Sequence, residues 1–271
     1  MKKLLSLLLA LGIVCSLAGC AGSNDASQSD ASQSSSTSGS GSQTDGSQAD
    51  GSQTDVQVMS YDEYMAAAVD EQVTIEAYVQ AKQSWWEDKA TVYAQDEDGA
   101  YFLYNMVCSQ EDYEKLVPGT CIRVTGYKAE WSGEIEIMDG TFEIVEGDTF
   151  VAEPLDVTSL LGTDELINHQ NQLVDFKGLT VVAAGQDDAG NDVPFLYNWD
   201  GSGTQGDDLY FNVAVGDQTY TFTVESYLCD SSTEVYKAVE ALEIGQVIDA
   251  QGFLYWYEGV NPHITSITVV E

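Results

Sequence analysis

Basic residues are scarce in this chain: 9 Lys and Arg stand against 45 Asp and Glu in 271 residues, a formal charge of −36. That balance argues against a nucleic-acid partner, because duplex binding rests on Lys and Arg neutralising phosphates. It argues equally against docking on anionic lipid through a basic face. Histidine is nearly absent, and neither His169 nor His263 sits in an H-E-x-x-H or Cys/His metal spacing. No Ser elbow, Walker loop or Cys–His nucleophile pattern occurs, so no residue speaks for an enzyme. The few cysteines do not form a disulfide framework. Cys108, Cys121 and Cys229 read as buried thiols, with a Cys108–Cys121 bridge as the alternative. What is present is apolar and aromatic content, 44% and 10%, which excludes disorder of the whole chain.

Residues 1–20, MKKLLSLLLALGIVCSLAGC, join a charged start at Lys2 and Lys3 to an apolar stretch, Leu4–Val14, too short to span a bilayer comfortably. The ending Leu17-Ala18-Gly19-Cys20 resembles the bacterial lipoprotein box, which implies cleavage after residue 19 and a lipid on Cys20. Residues 21–55 are rich in Ser, Gly, Gln and Asp, with GSQTD, GSQAD and GSQTD nearly in register, and offer almost nothing to bury. They are expected to be a disordered tether of about 30–35 Å r.m.s. span. A polar tether directly after the lipid Cys resembles that of Gram-positive surface lipoproteins.

Beyond the tether the chain repeats itself. Val73-x-Ile75-x-Ala77 returns as Val174-x-Phe176-x-Gly178, 101 residues on. Tyr101…Cys108 returns as Phe222…Cys229, offset 121, and Gly119…Tyr127 as Gly245…Phe253, offset 126. The growing offset places loop insertions in the second copy. In the first copy Ser60-x-x-Glu63 is a capping box opening a helix over Tyr61–Val69. Period-two alternation predicts strands at 73–82, 91–95, 101–107, 120–129 and 134–145, with a short helix over 110–116. Gly126 falls where a strand must bend or bulge. In the second copy 209–215 and 219–224 read as a hairpin, 186–208 as a turn-rich insertion and 233–242 as a helix.

Three strands, a short helix and two more strands resemble the oligonucleotide/oligosaccharide-binding (OB) fold. The expected class is all-β with short helices: two tandem five-stranded OB-like Greek-key barrels, 56–152 and 153–271. The pattern Trp85-Trp86, Asp96–Phe102 (DEDGAYF) and Gly126–Glu134 (GYKAEWSGE) is similar to tandem OB-like regions of Firmicutes lipoproteins.

Candidate chemistry is sparse. Gly201-x-Gly203-x-x-Gly206 fits a dinucleotide fingerprint but precedes a strand-like run where a helix is needed, and so reads as a loop. Asn198-x-Asp200-x-Ser202-Gly203 starts like a Ca²⁺ loop and fails at its twelfth position, Leu209. Asp187, Asp188 and Asp192 remain the weak candidate ligands for a metal, with loop solvation the simpler account, and no cofactor is expected. The sharpest feature is where the bases lie. Lys82, Trp85, Trp86 and Lys89 sit between the first two strands; Arg123, Lys128 and Trp131 run along the fourth strand into its loop. In an OB barrel these loops flank the ligand face. The seven residues are therefore the candidate ligand-binding set, against the alternative that a Trp packs the barrel mouth and each Lys pairs Glu87, Asp88 or Glu130. Tyr255-Trp256-Tyr257 occupies the matching loop of the second copy.

The sequence thus predicts a lipid-anchored, extracytoplasmic binding protein that recognises a glycan, peptide or other small ligand through aromatic loops. The alternative is an assembly partner in an envelope complex without a small-molecule site. Membrane contact through Cys20, no nucleic acid and no catalysis complete the expectation.

Overall fold

The computed structural model describes residues 57–270. The leader, Cys20 and the tether lie outside the described residues. Among the described residues no helix is long and apolar enough to cross a membrane.

The first barrel opens with α1 (Tyr61–Ala66). Its capping box is formed in both directions: Ser60 Oγ accepts from the Glu63 N–H at 3.3 Å, and Glu63 Oε2 accepts from the Ser60 N–H at 2.9 Å. The helix stops short of the expected Val69 because the chain turns extended at Ala67 (φ −61°, ψ 147°). There follow β1 (Gln72–Lys82), β2 (Lys89–Gln95), β3 (Ala100–Val107), α2 (Gln110–Lys115), β4 (Cys121–Trp131) and β5 (Glu134–Ile144). They close in the order β1-β2-β3-β5-β4. Val73, Ile75, Ala77 and Val79 turn inward at period two, with Val92, Leu103, Ile122 and Val124, and form the core.

The second barrel uses β6 (Leu173–Val182), β7 (Leu209–Val215), β8 (Gln218–Val224), α3 (Glu234–Glu240), β9 (Val247–Phe253) and β10 (His263–Val269). Pairings β6–β7, β7–β8, β8–β10, β10–β9 and β9–β6 close the same ring. Its core is built on Phe176, Phe211, Phe222, Val235 and Ile248. The insertion is more ordered than its turn-rich sequence indicates: Gly185–Gln186 pairs with Asp192–Val193, and Phe195–Tyr197 adds to the edge of β7.

The repeat read from sequence returns in the strand pairing, with a one-residue slip at the end of its first motif, where Ala77 pairs with Ile122 but Ile248 pairs with Leu179 instead of Gly178. Val73 faces Gly126 across β1 and β4, and Val174 faces Gly252 across β6 and β9. The parallel seams match as well, Phe102 against Glu136 and Thr223 against His263. The β4–β5 and β9–β10 pairings each shift register beside the matched glycine. A Cβ on Gly126 would stand 2.6 Å from Ile137 Cγ2, and one on Gly252 only 2.2 Å from the His263 carbonyl oxygen, so only glycine permits these approaches.

The barrels share a third apolar cluster. Tyr93 and Phe102 of the first pack with Leu173 and Phe253 of the second, and Ala152 of the connection joins them. Polar ties flank this cluster: Glu134 Oε2 accepts from the Trp256 N–H at 2.9 Å, and Gln170 Nε2 donates to the Gly133 carbonyl at 2.8 Å.

Candidate functional site

Beside that shared cluster the barrels leave a cleft made of two hollows, of about 360 Å³ and 750 Å³, with Glu225, Tyr255 and His263 lining both. The smaller is walled by Trp86, Tyr104 and Tyr227, with Lys89, Gln83 and Asn105 as its polar groups. The larger is walled by Trp131, Trp199, Tyr210 and Tyr257, with Asp208 and Glu258 beside them. Trp86, Trp131 and Trp199 are 66%, 60% and 76% exposed. So much apolar surface held in a concave site suits a ligand that covers it.

The loops that present these rings are strained. Glu87 and Asp88 follow Trp86, Asn105 follows Tyr104, Ser132 follows Trp131, Asn198 precedes Trp199 and Glu258 follows Tyr257, and all of them have φ between 48° and 59°. Left-handed backbone is unfavourable for residues with a Cβ, and at Glu87-Asp88 and Ser132-Gly133 it is what the two-residue hairpin turns beside Trp86 and Trp131 demand. The repeat also pairs two of the walls: Trp131 and Tyr257 are 126 residues apart, the offset of their strands, and both line the larger hollow.

The floor is a buried polar chain. Tyr93 Oη and His263 Nδ1 lie 2.9 Å apart, and the His263 ring stacks on Tyr255 with centroids 4.3 Å apart. Gln83 Nε2 donates to Glu225 Oε2 at 2.8 Å. Burial, and after it the charge of Asp208, pushes the Glu225 carboxyl up to about 8, while burial lowers the His263 imidazole to about 3. Both groups are therefore mainly neutral at pH 7, so their 3.9 Å approach is a polar contact and not an ion pair.

The seven candidate residues divide. Trp86 and Lys89 line the smaller hollow and Trp131 the larger. Trp85 is half-buried, and its Nε1 donates to the Cys108 carbonyl at 2.9 Å. Lys82 donates to the Tyr113 carbonyl and lies 3.8 Å over that ring. Arg123 pairs with Glu76 and Glu143 on the first barrel. Lys128 is buried and donates to the carbonyls of Tyr64, Met65 and Ala67 at 3.0, 2.7 and 2.9 Å. It caps the end of α1, where carbonyls lack intrahelical partners. Its inward direction is visible in sequence, since Lys128 is in phase with Ile122, Val124 and Gly126, the core-facing positions of β4.

Asp187, Asp188 and Asp192 lie around the small insertion hairpin. Asp187 Oδ1 accepts the N–H groups of Ala189 and Asn191, and Asp192 Oδ1 accepts from Gln186 Nε2 at 3.1 Å. Among the described residues no group of three or more His, Cys, Asp or Glu is placed to hold a metal ion. Cys108, Cys121 and Cys229 are buried and free. Glu225, Tyr227 and Trp199 are functional candidates that sequence reasoning missed. Glu225 and Tyr227 meet Gln83 and Ser84 of the first barrel, whereas the larger hollow is lined by the second barrel apart from Trp131, and the Tyr255–Tyr257 run was its local sign.

No family model matches this chain, and no curated protein is significantly similar to it. Solved structures are similar over most of its length. A murine DNA-binding protein bound with double-stranded DNA shares 13% identity, covering 73% of this chain and 95% of that one, with a TM-score of 0.33. The Ifi202 HINa domain in complex with a 20-base-pair duplex shares 12%, covering 75% and 97%, at 0.31. A mutant single-stranded DNA-binding protein from Thermus aquaticus shares 12%, covering 74% and 94%, at 0.23. The exclusion of nucleic acid drawn from composition is corrected against these structures and withdrawn. Its physical weakness is that net charge is a sum over the molecule, whereas screening confines each charge to about 8 Å, so the sum does not set the potential at one face. At such identity and at these TM-scores no property of those proteins is carried over to this chain.

Proposed function

We propose that this protein is a non-catalytic binding protein, anchored by lipid on Cys20 at the extracytoplasmic face of a membrane, that takes a small ligand such as a glycan or peptide in the cleft between its barrels. The observation that carries the reading is the cleft itself: exposed Trp86, Trp131 and Trp199 on strained loops around a floor of Glu225, Tyr255 and His263. Aromatic walls with a few placed polar groups are the usual construction of a small-molecule site. Its concavity favours ligand capture over a purely structural role in an envelope assembly, for which a flat apolar patch would be expected. The L-A-G-C box supports the anchor.

The test is a glycan and peptide array probed with the full chain, then repeated with Trp86→Ala for the smaller hollow and Trp131→Ala for the larger. A ligand held by the native chain and lost in either variant supports the reading. Ligands held equally by all three proteins would place binding elsewhere.

A further inference from the structure

The two hollows differ in chemistry, and the larger one is selective. Trp131, Trp199, Tyr210, Tyr255 and Tyr257 line it, with one face of the Tyr255 ring stacked on His263. Three carboxyl groups, on Asp208, Glu225 and Glu258, line the same space, and no Lys or Arg does. Lys89, the one Lys or Arg lining the cleft, borders only the smaller hollow. Among its other polar groups, Thr223 Oγ1 and Asn261 Oδ1 already bond each other at 2.7 Å. Asp208 Oδ1 accepts from both the N–H and the hydroxyl of Ser226, which fixes the carboxylate at the wall.

A ring face is the negative end of an aromatic quadrupole, so several faces around one space attract a cation that sheds its water readily. A neutral sugar would also stack and bond to the tyrosine hydroxyls and indole N–H groups of this hollow, but a cation alone gains as well from acidic side chains that no Lys or Arg there balances.

We propose that the larger hollow is a cage for an organic ammonium ion, a quaternary or methylated amine carried on a larger ligand. The reading rests on the cleft being the binding site and names the class of group it selects. The rings hold the alkyl shell of the cation, and Asp208 and Glu258 supply the opposite charge without a direct hydrogen bond. The smaller hollow, with Lys89, receives the rest of the ligand.

The test is calorimetric titration of the full chain with choline and with 3,3-dimethylbutan-1-ol, its uncharged carbon isostere. Choline is expected to bind in the millimolar range or tighter, with the isostere weaker by roughly tenfold or more. Trp199→Ala and Tyr257→Ala, both at exposed positions whose loss leaves the cores intact, are each expected to weaken choline by a similar factor. Equal affinity for the two probes, or no binding of choline, overturns the cage. If an array glycan then binds and is lost in Trp131→Ala, the cleft stands and only its cation selectivity falls. Choline binding that survives both cage variants places the cation elsewhere and overturns the cage, while the cleft itself is judged by the array with Trp86→Ala and Trp131→Ala.

Discussion

Tyr93 of the first barrel and Phe253 of the second stack face to face, with ring centroids 4.2 Å apart and planes 8° from parallel. Tyr93 is fully buried, and its hydroxyl reaches His263 Nδ1 on the second barrel. One side chain thus belongs to both barrels and to the floor of the cleft. Stability and site geometry share a residue.

Tyr93→Ala is therefore expected to destabilise the chain by about 3–5 kcal/mol, the usual loss for a large buried ring. Tyr93→Phe keeps the stack, gives up the His263 contact and is expected to lose about 1 kcal/mol. Urea unfolding followed by circular dichroism measures both. A Tyr93→Ala chain as stable as the native one would mean that the barrels do not depend on this contact.

Lys128 and Lys89 look alike in sequence, as bases beside tryptophans, and the structure gives them opposite roles. Lys128→Met is expected to destabilise by roughly 1–3 kcal/mol, because three carbonyls at the end of α1 lose their donor. Lys89→Met, at an exposed position, is expected to stay within about 0.5 kcal/mol of the native chain. Equal midpoints in urea for the two variants would contradict the capping role.

Strand positions were legible because a barrel strand writes its pleat into the sequence as period-two alternation, and the second copy wrote it again. Val73 with Gly126 and Val174 with Gly252 are the same pair seen twice. The capping box at Ser60 was equally local, closing in both directions between residues three apart. The cleft was not legible in the same way. Glu225 and Gln83 are 142 residues apart and meet only because Tyr93, Phe102 and Phe253 set the angle between the barrels. Lys128 was misplaced for another reason: its charge outweighed its phase, although its phase was the better guide.

The anchor is testable without the structure. Cys20→Ser is expected to move the chain from the membrane fraction to the soluble exported fraction, since a signal of this length is not itself a stable span. Unchanged fractionation would remove the lipid from the account and leave the cleft untouched.

Proton linkage gives a prediction whose sign is set by burial. Removal from water raises Glu134 to about 9, Glu225 to about 8 and Glu136 to about 7; Asn171 and the Trp256 N–H draw Glu134 back only in part. In the unfolded chain these carboxyls titrate near their ordinary value of 4.5. Between that value and their raised values the folded protein holds protons that the unfolded chain has released. Their contribution is complete below about pH 4.5 and is lost as pH rises through 7 to 9. His263 acts in the opposite sense: burial lowers it to about 3, so its contribution is complete above about pH 6.5 and is lost as pH falls towards 3. Three carboxyls outweigh one imidazole, and stability should peak on the acid side of neutrality. The melting temperature is expected to fall by roughly 5 °C or more between pH 6 and pH 9. Glu134→Gln, which imitates the protonated acid while keeping an acceptor for the Trp256 N–H, should flatten that slope. A native melting curve that is level or rises from pH 6 to pH 9 would show that these carboxyls ionise at ordinary pH and that the junction between the barrels admits water.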